Sequence, residues 1–222
     1  MNILCFPGWS AQRPLPNWNG RPVVTIPHDE QWRVLAEPEV PMPRDWLPKE
    51  DWVMITWSMG TWAGLKLSSH WHKNPPKAWV ALSPFMRLAG GPNSKIKAEA
   101  LDVLLQSFRA KPKETLDFFC RQQGGKEPWC RQEDLLGREE LLGDSLEALL
   151  SVAPHRPKEK LEVPIYTFIG AKDRLVSAEM VTEFEEHGSN VTRMVLPDHG
   201  HGIFYESQPD CEFLFSESSR SL

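Results

Sequence analysis

The sequence is poor in cysteine. Its four, Cys5, Cys120, Cys130 and Cys211, are scattered over 222 residues without a C-x-x-C pair, which fits reduced thiols in a cytoplasmic protein better than a disulfide framework or a zinc ribbon. A basic excess is missing too. With a net charge of −5 there is no overall positive field to hold a polyanion, which argues against nucleic acid as the main partner. No apolar run is long enough to span a bilayer, and the opening MNILCFPGWS lacks the basic stretch and small-residue cleavage site of a secretory signal. No membrane partner is therefore expected. Repeats and low-complexity tracts are absent as well. What remains is a chain long enough for one sizeable core, carrying ten tryptophans, aromatics that fill cores and also line apolar ligand pockets.

Apolar and β-branched runs predict strands at 3–6, 22–26, 52–56, 77–82, 164–169 and 191–196. Between 27 and 51 the prolines at 27, 38, 41, 43 and 48 interrupt any long helix, so this stretch reads as loop with one short helical turn. Residues 59–72 read as a mostly buried helix, and 94–109, 112–123 and 132–152 as three amphipathic helices. A helix around 177–186 and a last one from about Glu206 complete the order. Strands alternating with helices imply an α/β protein with a mainly parallel sheet. The division predicted is a core of residues 1–83 and 161–222 with a helical lid at 84–160.

Reactive groups of an open parallel sheet gather beyond the C-terminal ends of its strands. Ser58 lies there, in TWSMGTW at 56–62, directly between an apolar strand and a helix. That is the setting of a nucleophile elbow, G-x-S-x-G, in which a sharp turn raises the serine Oγ above the sheet. Thr56 stands where the first glycine belongs and Gly60 keeps the second small position. The threonine predicts tolerable crowding rather than a different turn.

A serine hydroxyl needs a base, and the base needs a carboxylate to orient it. Asp173, a few residues past one strand, and His201, in the loop after the last, follow Ser58 in the chain order of a serine hydrolase triad. His199 competes with His201 for the role of base; Gly202 and the apolar pair behind His201 favour the latter. Backbone N–H groups of Trp9 and Met59 are the candidate oxyanion donors. The pairs His70-x-His72 and His199-x-His201 resemble metal ligands and could together hold zinc in principle, but the first pair closes a helix away from the strand-end face and no Asp-His follows either pair, so no metal or other cofactor is expected.

These residues resemble the α/β-hydrolase superfamily and, more narrowly, the pimeloyl-acyl carrier protein methyl ester esterases of biotin synthesis. The similarity covers most of the chain: Gly8-Trp9, WSMG at 57–60, LDFFCRQQGG at 116–125, SLEALL at 145–150, GAKDRLVS at 170–177 and GHGIF at 200–204. It implies an α/β-hydrolase fold, a mainly parallel sheet lacking the first strands, with a helical lid insertion. It also implies a cytoplasmic serine carboxylesterase, expected as a monomer, that hydrolyses the methyl ester of pimeloyl-acyl carrier protein. Gly8, Trp57 and Phe119 would then adjoin the substrate, and Arg109, Arg121 and Arg131 would meet the acyl carrier protein. Residues 94–131 carry eight basic side chains against five acidic ones, a local excess suited to an acidic partner. The residues themselves leave open a broad carboxylesterase, an acyl thioesterase and a hydrolase-like binding protein without turnover.

Overall fold

The computed structural model describes residues 1–11, 17–36, 43–71, 73–94, 96–122, 137–151, 154–203 and 211. The expected helix from about Glu206 lies outside them, as do His72, Cys130 and Arg131.

The chain opens with β1 (Asn2–Phe6), a small antiparallel pair β2 (Asn17–Trp18) and β3 (Arg21–Pro22), and a two-residue strand β4 (Val24–Thr25). Strands β5 (Trp52–Trp57), β6 (Ala78–Leu82), β7 (Ile165–Gly170) and β8 (Val191–Leu196) follow. The main sheet has the order β4-β1-β5-β6-β7-β8, and every neighbouring pair in it is parallel. Strands β5 and β6 are buried along their whole length, as the near-continuous apolar runs of strands covered on both faces require. Successive side chains alternate between two cores. Cys5, Ile55, Trp57, Val80 and Leu82 belong to one, while Leu4, Met54, Trp79 and Ala81 belong to the other.

Helix α1 (His28–Leu35) corrects the loop expected after Pro27. Pro27 occupies the N-cap, where a missing N–H costs nothing, and the next proline, Pro38, is eleven residues on, far enough for two turns. Helix α2 (Gly60–Ser68) is shorter than expected. The hydroxyls of Ser68 and Ser69 donate to the carbonyls of Leu65 and Lys66 at 2.7 and 2.8 Å, local bonds that compete with continuing the helix.

Between β6 and β7 run α3 (Ala98–Ala110), α4 (Pro112–Gln122) and α5 (Glu139–Ser151), with α3 packed on both of the others. Their apolar faces, including Leu101, Phe108, Leu116 and Leu146, join the core cluster that contains Trp57 and Val80. Helix α6 (Ala178–Glu185) precedes β8, its N-terminus capped by Ser177, whose Oγ accepts from the Met180 N–H. No helix among the described residues is long and apolar enough to cross a membrane.

Cys120 is disulfide-bonded, which corrects the expectation of four reduced thiols; Cys5 and Cys211 are free and buried. Bridging depends on Cα atoms meeting about 5.5–6 Å apart in space, which chain spacing alone does not report.

Candidate active site

Strand β5 delivers Ser58 to a turn with φ +54°, in the left-handed region that side chains with a Cβ normally avoid at about 1–2 kcal/mol. Neighbours hold it there. The Ser58 N–H donates to the Leu82 carbonyl at 2.9 Å, and its own carbonyl accepts from the Thr61 N–H at 3.0 Å as α2 begins. The helix start presses so closely on β1 that a Cβ built on Gly60 would stand 2.0 Å from the Phe6 carbonyl oxygen.

Thr56 is accommodated without altering the turn. Its hydroxyl accepts from the Trp79 indole at 2.8 Å, and its methyl is met by Gly64 on α2, where an added Cβ would lie 3.0 Å away. The volume gained at the first elbow position is thus offset one turn into the helix, by a residue the G-x-S-x-G pattern does not contain.

His201 and Asp173 arrive from the loops after β8 and β7. His201 Nε2 lies 2.9 Å from Ser58 Oγ, and its Nδ1 lies 2.9 Å from Asp173 Oδ2. Asp173 Oδ1 accepts from the N–H groups of Leu175 and Val176, each at 2.9 Å, and Oδ2 also accepts from Ser83 Oγ at 2.8 Å. Burial alone would push this carboxyl up. The charge and hydrogen bond of His201, with the Val176 N–H and Ser83 hydroxyl, outweigh it and hold the group below its ordinary value. The Trp57 indole donates to the His201 carbonyl at 2.8 Å, and its ring lies against the imidazole at a centroid distance of 5.6 Å. His199 contributes to the loop through its carbonyl, which accepts from the Lys172 N–H at 2.9 Å.

Gly8 abuts the serine: a Cβ there would be 3.0 Å from Ser58 Cβ. Among the described residues neither the Trp9 nor the Met59 N–H donates to a protein acceptor. Both residues, with Ser58, line a cavity of about 220 Å³ whose other walls include Phe85, Leu101 and Phe119. Ser58 is the single polar residue among the described walls. The Trp9 indole spans from this cavity to α5, donating to the Leu142 carbonyl and to Ser145 Oγ at 3.1 Å each. Phe119 packs edge-on against Trp9 with ring centroids 5.1 Å apart. Trp57 lies against the imidazole of His201 and is not among the described walls of the cavity.

Of the residues expected to meet a carrier, Arg109 pairs with Glu147 of α5 at 2.5 Å, both exposed. Arg121 donates from Nε to the Asp117 carbonyl at 3.2 Å. Arg131 lies outside the described residues. His70 is exposed, its Nδ1 2.8 Å from Ser69 Oγ.

Ser83 is the site residue that sequence reasoning missed. It directly follows β6 with φ +43°, and its one legible signal is a serine just past the C-terminal end of an apolar strand, on the same rim as Ser58.

A family model described as serine aminopeptidase, S33 matches residues 44–208. No curated protein matches the chain in sequence. Among solved structures, the esterase EaEST from Exiguobacterium antarcticum superposes with a TM-score of 0.62 at 14% identity, covering 92% of this chain and 86% of its own. The RedJ thioesterase from the prodiginine pathway of Streptomyces coelicolor gives 0.57 at 16%, covering 100% and 90%. BioG from Haemophilus influenzae gives 0.58 at 15%, covering 91% and 89%. At these identities the likeness is one of fold.

Proposed function

The chain belongs to the α/β-hydrolase family described as serine aminopeptidase, S33, and from that premise we propose that this serine hydrolase cleaves the methyl ester of a pimeloyl group carried on acyl carrier protein. The observation that carries an ester reading is an unbroken hydrogen-bonded series, Asp173 to His201 to Ser58, opening into an apolar cavity. A substrate with a free amino terminus would bring an ammonium group, and no carboxylate lines the described walls to pair with it. A neutral ester brings no such cost.

In the proposed reaction His201 Nε2 takes the Ser58 proton as Oγ attacks the ester carbonyl. The Trp9 and Met59 N–H groups, uncommitted to other acceptors among the described residues, receive the oxyanion. Asp173 stabilises the imidazolium, which then protonates the departing alcohol. Water, activated by the same imidazole, releases the acid from Ser58.

An apolar cavity of about 220 Å³ beside Ser58 suits an acyl chain. Lys97, Arg109, Lys111, Lys113 and Arg121 on or beside α3 and α4 supply positive charge for an acidic carrier.

The test is methanol release from pimeloyl methyl ester on carrier protein, with a short free methyl ester and the matching thioester as controls. Carrier-bound ester is expected to have the highest kcat/KM, and Ser58→Ala is expected to abolish turnover and fluorophosphonate labelling. Preference for the thioester would reassign the enzyme as a thioesterase. Labelling without turnover of any acyl substrate would reject the reading.

A further inference from the structure

Helix α3 carries two apolar stripes. Leu101, Leu105 and Phe108 face the core. Ala100, Val103, Leu104 and Ser107, at helical spacing on the adjoining face, line a second, open trough with Thr115 and Phe118 of α4. The trough measures about 570 Å³. Two large apolar side chains on it are open to solvent, Val103 at 61% and Phe118 at 59%.

Its walls are not independent of the site. Ala100, Leu104 and Phe118 line both the trough and the cavity above Ser58. The two spaces therefore meet at one partition, and the inner one is small. A long linear acyl chain that outgrows the inner cavity of about 220 Å³ has its continuation with apolar walls in the trough. Towards its far end the lining becomes polar, with Lys111 and Glu114, where a polar or carrier-attached end would emerge into water.

We infer that the α3–α4 trough is a second acyl subsite, occupied by the remote part of a long linear acyl chain whose ester carbonyl sits at Ser58, and that Phe118 at the partition sets the chain-length preference. This rests on the ester-hydrolase reading for its turnover consequence. Its binding consequence stands apart from that reading.

Two variants act on the trough from outside the inner cavity or at the partition. Val103 lines the trough alone, so Val103→Asp places a charge in the remote subsite. It is expected to lower kcat/KM for p-nitrophenyl dodecanoate about tenfold relative to p-nitrophenyl butanoate. Phe118→Ala widens the partition and is expected to shift the same ratio about tenfold towards dodecanoate. Direct binding is read with 11-(dansylamino)undecanoic acid on Ser58→Ala protein, where adding Val103→Asp is expected to weaken binding about tenfold. If wild-type protein turned over no ester while Val103→Asp still weakened dansyl binding, the subsite would stand and the esterase reading would fall. Chain-length profiles and dansyl affinity unchanged by both substitutions would overturn the subsite.

Discussion

The hydroxyl of Ser83 donates to Asp173 Oδ2 at 2.8 Å, the same oxygen that lies 2.9 Å from His201 Nδ1. With two backbone N–H groups on Oδ1, every oxygen of this buried carboxylate is engaged. In the proposed reaction Ser83 therefore acts on the base through Asp173, as a positioning residue. Ser83→Ala is expected to lower kcat about tenfold with little change in KM, and to cost about 1.5–3 kcal/mol of stability, the scale of a hydrogen bond to a charged group. Ser83→Gly removes the same hydroxyl but relieves the φ of +43°, so it should match alanine in kcat while unfolding at a higher temperature. Full activity in the glycine variant would assign Ser83 to backbone geometry alone.

Replacing Asp173 by asparagine keeps the volume and removes the charge. A drop in kcat of about 10⁴-fold is the expected scale for an imidazole left in the wrong tautomer. Steady-state rates on a short ester, with circular dichroism to verify folding, measure it; a loss below tenfold would remove Asp173 from the mechanism.

Thr56 and Gly64 are predicted to be coupled. Gly64→Ala would bring a Cβ to 3.0 Å from the Thr56 methyl and 2.8 Å from Trp79 Cζ2, an overpacking expected to cost about 1–3 kcal/mol. Thr56→Ser removes the methyl and retains the acceptor for Trp79. The double variant should then recover part of the loss, read as non-additivity in urea midpoints. Strict additivity would show that the helix does not compensate for the altered elbow.

Stability should fall with acid in two windows. Burial lowers the pKa of His28 from its ordinary 6.5, so the unfolded chain takes up this proton first and folding weakens as pH drops below that value. Asp29 beside it is bound bidentately by Arg138, Nε to Oδ2 at 2.7 Å and Nη2 to Oδ1 at 2.6 Å. Burial would raise its pKa, but the nearby His28, its Nδ1 3.6 Å from Oδ1, and the hydrogen bonds and charge of Arg138 lower it from 3.8 to about 2. That stabilisation is present above pH 3.8 and disappears as pH falls towards 2. Asp173, also lowered, adds to the second window. Urea midpoints against pH should show both losses, and His28→Gln should flatten the upper one and reduce the lower one, because His28 is among the groups that lower Asp29.

The central strands were legible because a strand buried on both faces has to be written as a continuous apolar run, as WVMIT and AWVAL are. The meeting of Ser58, Asp173 and His201 was legible because their order and their strand-end positions carry the information that their spacing does not. Helix α1 was hidden by reading Pro27 as a breaker when it serves as the first boundary of the helix. Ser83 was hidden for a different reason. A single hydroxyl at a strand end has no pattern, and its importance comes from Asp173, ninety residues away. The second stripe of α3 was visible as apolar residues, but only the packing of α4 shows that it forms a wall rather than a core face.

Sheets open first at their borders, and β8 ends the order of described strands with no residue buried along its length. The imidazole is chained to this strand in sequence but is clasped by the indole of Trp57 from the middle of the sheet. Fraying at the margin can therefore proceed some way without scattering Ser58, Asp173 and His201, because their mooring lies inland.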